Sequence, residues 1–400
     1  MTTNQITNDT THAAPELRFP EFHDDWQVKR LGEIAEIVSE KENNSIDNYV
    51  STENLLPNYG GVIFDAKISS INSITKYKLG DILLSNIRPY LKKIWQANVN
   101  GTASNDVIVF RVSNTFDDSF ICFVLKNDRF IDYVMASAKG VKMPRGDKNM
   151  MLNYAVSFPT LSEQRKIALC LSSLDDLIKS VGDKIELLKQ HKKGLMQKLF
   201  PKNNCAVPEL RFPEFSGDWQ VKLLGDCFDE RIEKKCINLP LLSLTENGII
   251  PQEETNRKDN SNADKSKYLR VCIGDIAYNT MRMWQGRCVW VDTEGIVSPA
   301  YTVCKPKENI FSLFVYYMFK TRKMINVFHQ HSQGLVNDTL NLKYEKFSAI
   351  RVSVPSLAEQ QKIAACLSSI DSEIETNEQK LTKLQEHKKG LMQKMFVKIR

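Results

Sequence analysis

The chain has 400 residues, 42% hydrophobic and 26% charged, and its 54 Lys and Arg against 48 Asp and Glu give a net charge of +6. That length calls for more than one domain, and the composition is that of a globular protein. No apolar run reaches the ~18 residues of a membrane-spanning helix, and so mild a charge does not by itself declare a polyanionic partner.

Residues 1–14 are polar and rich in Thr and Asn, which predicts a disordered tail with no secretory h-region. The nine cysteines are scattered without a C-x-x-C pair, as expected of reduced thiols in a cytoplasmic protein. From Pro15 the sequence repeats itself. PELRFPEF-HDDWQVKRLGE (Pro15–Glu33) returns as PELRFPEF-SGDWQVKLLGD (Pro208–Asp226). LSEQRKIALCLSSLDDLI (Leu161–Ile178) returns as LAEQQKIAACLSSIDSEI (Leu357–Ile374), and HKKGLMQKLF (His191–Phe200) as HKKGLMQKMF (His387–Phe396). The chain is a tandem duplication. It divides into a domain over 15–159, a helix over 160–200, a linker over 201–207, a second domain over 208–355 and a second helix over 356–400.

Inside the domains identity falls while the outline persists. GDILLSNIRPYLKK (Gly80–Lys93) aligns with GDIAYNTMRMWQGR (Gly274–Arg287), and Thr52-Glu53-Asn54 with Thr245-Glu246-Asn247. Ile82–Leu84, Val107–Val112 and Val289–Val291 read as strands, and Phe120–Tyr133 and Phe311–Phe328 have helical apolar spacing, so each domain is α+β. A shared frame around diverged middles implies two modules that touch one kind of partner and read different details of it. Trp26 and Trp219 belong to the frame and read as packing anchors.

The stretch Leu161–Phe200 carries an apolar stripe at Leu171, Leu174, Ile178, Val181, Ile185, Leu188, Leu195 and Leu199, with Lys192 in its one gap. The second copy keeps the register through Leu367, Ile370, Ile374, Asn377, Leu381, Leu384, Lys388, Leu391 and Met395. Steps of three and four sustained this long indicate a coiled coil, each stripe serving the other, with Asn377 as a polar register-setter in the seam. Some forty residues at ~1.5 Å each make a rod of about 60 Å. That exceeds the ~34–36 Å of one DNA turn. Gly194 and Gly390 inside the pattern point to a close helix contact, a docking surface or a local kink.

Motifs for catalysis are missing. There is no G-x-x-x-x-G-K-[ST], no G-x-G after a strand, no Asn-Pro-Pro or Asp-Pro-Pro, and no zinc signature. His329 and His331, the one close histidine pair, read as surface residues, and Cys170 and Cys366 as buried small hydrophobes. Cations instead cluster with polar side chains able to face DNA. In the first half these are Lys76, Lys78, Arg88, Lys92 and Lys93, then Lys142, Arg145 and Lys148, beside Thr52, Asn54, Asn86 and Tyr90. In the second half they are Arg257, Lys258, Arg282 and Arg287 beside Thr245, Asn247, Thr280, Trp284 and Gln285. Lys and Arg neutralise phosphates, Arg suits guanine, and Asn or Gln suits adenine. Two rivals stay open: a scaffold whose domains bind proteins, and a nuclease with a cryptic site.

The PELRFPEF-x-x-DW openings, the GDIL-x-S-N-I-R block and the paired EQ-x-KIA helix starts (Glu163–Ala168 and Glu359–Ala364) resemble the specificity subunits of type I restriction–modification enzymes, over essentially all of the chain from Pro15. The resemblance implies two similar α+β target-recognition domains, separated by two long helices pairing as an antiparallel coiled coil with pseudo-two-fold symmetry. Each domain would read one half of a split double-stranded DNA target, and the helices would set the spacer. The partners implied are two methyltransferase subunits that use S-adenosylmethionine and two restriction/translocase subunits that use ATP and Mg. The chain itself would be non-catalytic and bind no cofactor or metal. The second domain lacks the Ser-Asn-Ile-Arg-Pro form at Gly274–Arg282, so an equivalence of Arg282 with Arg88 does not follow from the resemblance.

Overall fold

The computed structural model describes residues 14–42, 47–64, 74–202, 205–245, 248–255 and 264–397. The chain forms two compact units, residues 1–181 with 380–400 and residues 182–379, so each long helix belongs in part to both.

In the first unit a four-stranded antiparallel sheet has the order Ala35–Ile37, Val107–Val112, Ile82–Ser85, Ile94–Gln96. Its centre is buried on both faces, which is why ILL and VIVF read as unbroken apolar runs. Side chains alternate between the faces: Ile82, Leu84, Ile108 and Phe110 enter one core with the helices, while Leu83, Val107 and Val109 enter a second core with Val50, Tyr77 and Trp95. A three-stranded sheet, Lys41–Glu42, Ile74–Tyr77 and Gly101–Ser104, covers that second core.

The second unit repeats the plan. Its four-stranded sheet runs Phe228–Glu230, Tyr301–Pro306, Ile276–Asn279, Cys288–Trp290, again with Ile276 and Tyr278 on one face and Ala277 on the other. Here the outer layer is two separate pairs, Leu242–Thr245 with Gly248–Pro251 and Leu269–Val271 with Gly295–Val297. In each unit the repeated opening supplies a strand that closes the domain: Gln27–Arg30 pairs with Ala155–Phe158, and Gln220–Leu223 with Arg351–Val354.

The two segments of helical spacing each fold as two helices. Asp118–Leu125 and Asp128–Ala136 are broken where the Asn127 side chain caps the second by accepting from Arg129 N. Ser312–Phe319 and Arg322–His331 are broken at Thr321, which accepts from Met324 N. Apolar spacing carries through these breaks because both members of each pair pack on the same core, and only the caps betray the junction.

The long helices run Leu161–Leu199 and Leu357–Lys394. Every residue of the predicted stripe is buried or half-buried. Within each unit the end of one helix meets the start of the other: Leu199 and Phe200 share a core with Ile363 and Leu367, and Met395 and Phe396 share one with Ile167 and Leu171. The helix segments therefore run antiparallel in both units. The lysine in each stripe is satisfied in the same way, Lys192 pairing with Asp371 and Lys388 with Asp175, so its stem lies in the seam and its charge does not stay buried alone. Three expectations need correction. Asn377 donates to Glu373 O of its own helix at 2.7 Å, so this amide bond gives no cross-helix register. Among the described residues a Cβ at Gly194 or Gly390 would meet nothing within 4 Å, which removes the close helix contact, and both helices continue through these glycines. Cys170 and Cys366 are half-buried rather than core.

Candidate nucleic-acid interface

The foot of each unit explains the repeated motifs. Arg18 donates from Nε and Nη2 to the two carboxylate oxygens of Glu163 at 2.8 and 2.7 Å, and Arg211 makes the same fork on Glu359 at 2.8 and 2.8 Å. Both carboxylates are sealed from solvent, at 0% and 1% exposure, so the planar guanidinium is what makes their burial tolerable. The neighbouring glutamines are staples. Gln164 accepts from Asp117 N and donates to Pro159 O, and Gln360 accepts from Phe311 N and donates to Asn309 O and Pro355 O. Trp26 packs edge-on against Phe120, and Trp219 against Phe200 and Phe314. The frame residues PELRF, DW and EQ thus hold helix, opening strand and domain together.

The Gly-Asp pair that opens the next shared block is also structural. Gly80 and Gly274 have φ of +90° and +91°, which a glycine adopts without strain. Asp81 then accepts from Lys78 N and from Arg111, and Asp275 from Cys272 N and from Arg231. The two arginines come from neighbouring strands, Arg111 within Val107–Val112 and Arg231 just after Phe228–Glu230.

Beyond that pair the block turns into the loop face, and there the predicted residues part company. In the first unit Asn86, Arg88 and Arg145 are brought together. Arg88 N donates to Pro144 O at 2.8 Å, Gly146 N donates to Asn86 O at 3.2 Å, and Ile87 bridges Arg145. Arg88 is left-handed at φ 52°, a conformation that costs a β-carbon residue free energy and is found disproportionately at functional sites. Among the described residues, its Nε and the Oδ1 of Asn86 are each buried without a hydrogen-bond partner. Tyr90, Lys142 and Lys148 are exposed, and Arg145 reaches Asp106 at 3.1 Å while staying largely open to solvent.

Other candidates are spent internally. Asn54 is 2% exposed, accepts from Ser51 N and Oγ and donates to Ile63 O, so no edge of its amide faces outward. Lys93 donates to Thr52 O, and burial lowers its pKa. Lys92 pairs with Asp128 at 2.5 Å. Lys76 sits on Ile74–Tyr77 near Glu40, and Lys78 is exposed in the Gly-Asp turn.

In the second unit Thr245, Arg282, Gln285 and Arg287 line one open cavity of about 950 Å³ with Asn279, Tyr301 and Lys320. Lys320, missed in the sequence, is fixed there by donating to Gly286 O and Cys288 O. Arg282 lies 3.5 Å from Asp338. The indole of Trp284 donates to Met281 O and packs on His329, so it props the turn, and Thr280 is tied to Ala300 O. His329 and His331 are exposed on one helix. Asn247, Arg257 and Lys258 lie outside the described residues.

A second element joins each loop face. The hairpin 139–145 closes by reciprocal backbone bonds between Lys139 and Arg145 at 3.0 and 2.9 Å, and the hairpin 333–341 by bonds between Gln333 and Asn341 at 2.8 and 2.9 Å. At the equivalent place each is docked by a further bond, Gly146 N to Asn86 O and Leu342 N to Thr280 O, and the first is held also by Arg88 N to Pro144 O. Reading by charge found the lysines of the first hairpin and missed the second hairpin, which carries no cluster of them.

Two stretches of the chain, 23–190 and 216–386, match the family model described as the type I restriction modification DNA specificity domain. The type I restriction enzyme MjaVIII specificity subunit of Methanocaldococcus jannaschii is 25% identical over 94% of this chain and 92% of its own length. The type I restriction enzyme EcoDI specificity subunit of Escherichia coli is 24% identical over 45% of this chain and 43% of its own. Among solved structures, the S subunit of a type I restriction–modification system from M. genitalium superposes with a TM-score of 0.64 at 15% identity, covering 97% of this chain and 100% of that one.

Proposed function

This chain belongs to the type I restriction–modification DNA specificity family, whose specificity subunits are non-catalytic and supply sequence recognition, and on that footing we propose how the recognition is divided. Each unit reads one half of a split double-stranded target, the first through the Asn86–Tyr90 turn and the hairpin 139–145, the second through the cavity around Arg282, Gln285 and Arg287. The observation that carries this reading is that both units anchor their loop faces with equivalent backbone bonds yet present different side chains there. Equal anchoring with unequal side chains is what two readers of different sequences need.

The long helices set the spacer and dock the partners. His191 and Lys193 are repeated as His387 and Lys389, and all four are exposed. An exposed residue repeated unchanged has no internal packing to account for it, so the repeat points to one docking surface per copy and hence to two methyltransferase subunits. Leu169, Leu177 and Leu187, exposed on the first helix, add apolar area for such a contact. The methyltransferase subunits use S-adenosylmethionine, and two restriction/translocase subunits use ATP and Mg. This chain binds no cofactor itself and works in the cytoplasm. No helix among the described residues is long and apolar enough to cross a membrane.

Methylome sequencing tests the division. Replacing residues 31–158 with the equivalent segment of a relative should change one half of the methylated sequence and leave the other. A change in both halves would refute independent reading. Inserting one heptad after Lys184 and one after Lys380 keeps the seam in register and adds about 10 Å, so the spacer should lengthen by up to about three base pairs while both halves stay the same.

A further inference from the structure

The hairpins on the two loop faces end in bare apolar side chains. Val141 is 104% exposed at the tip of 139–145, and Leu335 is 101% exposed at the tip of 333–341, with Met143 and Val336 beside them also exposed. A single exposed aliphatic residue on a protein surface calls for no explanation. This pair does, because three features recur. Each tip residue follows a glycine of positive φ, Gly140 at +98° and Gly334 at +156°. Each hairpin is closed by reciprocal backbone bonds, and each is docked on the turn that follows the Gly-Asp strand. The surrounding hairpin sequences, KGVKMPRG and QGLVNDTLN, share almost nothing else. Diverged loops that keep a glycine and then an uncovered aliphatic tip hold that tip out for contact. Gly334 could not be replaced cheaply, since a Cβ there would sit 2.7 Å from the backbone of Thr339 and Leu340.

The surroundings identify what the first tip meets. Lys139, Lys142, Arg145 and Lys148 lie on or just after the hairpin that carries Val141, with Lys139 3.5 Å from Asp147 and Arg145 3.1 Å from Asp106, and Arg88 is bonded to the same hairpin. A protein partner with an apolar socket would not call for that cluster of cations. A polyanion with an apolar interior would: phosphates outside, stacked bases within. We propose that the two hairpins are DNA fingers whose tips, Val141 and Leu335, press into the duplex and unstack one base step beside each half of the target. This rests on the assignment of the loop faces as the DNA interface and adds what the cations alone would not give, a salt-independent apolar contact at a fixed place in each half.

The test uses the full chain with its methyltransferase partner, on duplexes of the target defined by methylome sequencing. 2-Aminopurine replaces single bases in turn, the methylated adenines excepted. On binding, fluorescence should rise severalfold at one step in each half. Val141→Ser should abolish the rise in one half only, Leu335→Ser in the other only, and Val141→Leu should keep it. Each serine variant should bind about tenfold or more weakly, from the apolar burial lost, with an unchanged slope of affinity against salt. Lys142→Ala should instead lower that slope by about one. Because both tips are solvent-exposed, the serine variants should melt as the parent does.

Serine variants that bind and fluoresce like the parent while Lys142→Ala still lowers the slope would overturn the fingers and leave the interface standing. If Arg88→Ala, Lys142→Ala and Arg145→Ala all left affinity and slope unchanged, the interface assignment itself would fall. Loss of the methyltransferase subunit from Val141→Ser, with DNA binding intact, would make the tip a protein contact and overturn the proposal.

Discussion

At the foot of the first unit Arg18 grips Glu163 through two bonds of 2.8 and 2.7 Å, and at the foot of the second Arg211 grips Glu359 through two of 2.8 Å. Among the described residues of the loop faces no side-chain pair is matched so closely. Arg88 is left-handed at φ 52° and hydrogen-bonded to the neighbouring hairpin, whereas its counterpart Arg282 has φ −131° and faces Asp338. Lys92 is left-handed where the second unit has Gly286, also at positive φ. What survives on the loop faces is backbone bonding, and what survives at the feet is side-chain chemistry. A buried ion pair tolerates no drift in either partner, while a loop held by its backbone can change every side chain and keep its place.

The largest effect should come from breaking a foot. Arg18→Leu leaves the Glu163 carboxylate buried and unpaired and should destabilise the first unit by ~3–5 kcal/mol in chemical denaturation. Arg211→Leu should cost the second unit somewhat less, because the Trp219 indole still donates to Glu359 at 3.3 Å. Removing the charge as well, in Arg18→Leu with Glu163→Leu, should recover much of that loss, because apolar replacement of a whole buried pair is often neutral. A single-variant cost within the ~1 kcal/mol of a surface pair would mean the fork supports nothing.

Next in size are the loop faces, where folding should be untouched and recognition altered. Arg88→Ala should weaken specific binding by ~1–3 kcal/mol and relax one position in one half of the target. Arg282→Ala should do so in the other half. Identical losses on every sequence would reduce both to phosphate contacts. Lys92→Ala should matter less than Lys142→Ala to the salt slope, since Asp128 already neutralises Lys92. A fall of a full unit for Lys92→Ala would show that DNA displaces Asp128.

The same contrast marks what the sequence made legible. The duplication, the α+β strands and the helical stripe were readable because burial imposes a period, and even the lysine in the stripe at Lys192 and Lys388 repeats with its aspartate. The helix breaks at Asn127 and Thr321 were hidden because apolar spacing runs through them. On the loop faces, residue type alone did not tell a free amide from a spent one. Residue type marks Asn54 as a candidate DNA contact, but it is a turn staple, because Ser51 and Ile63 occupy its amide. Lys320 is not legible, since nothing in a helical stretch signals that a lysine will be drawn to two carbonyls beside Arg282 and Arg287. The exposed tips carried a faint signal in the shared Gly140-Val141 and Gly334-Leu335, a glycine followed by an aliphatic residue in segments that otherwise diverge.

The smallest predicted effect separates two reasons for repetition. Arg18 and Glu163 recur because each needs the other inside its unit. Gly194 and Gly390 recur with nothing among the described residues within 4 Å of where a Cβ would stand, so no contact there explains them. A helix-interior glycine costs about 1 kcal/mol against alanine, so Gly194→Ala and Gly390→Ala should each stabilise the free chain by up to that amount. If the glycines are kept for a partner's close approach, the same variants should bind the methyltransferase subunit more weakly, because the new methyl stands where the partner packs. Melting of the free chain and titration with the partner measure the two effects separately. Stabilisation with unchanged partner binding would leave the repeated glycines without a docking role and shift the contact to the exposed His191, Lys193, His387 and Lys389.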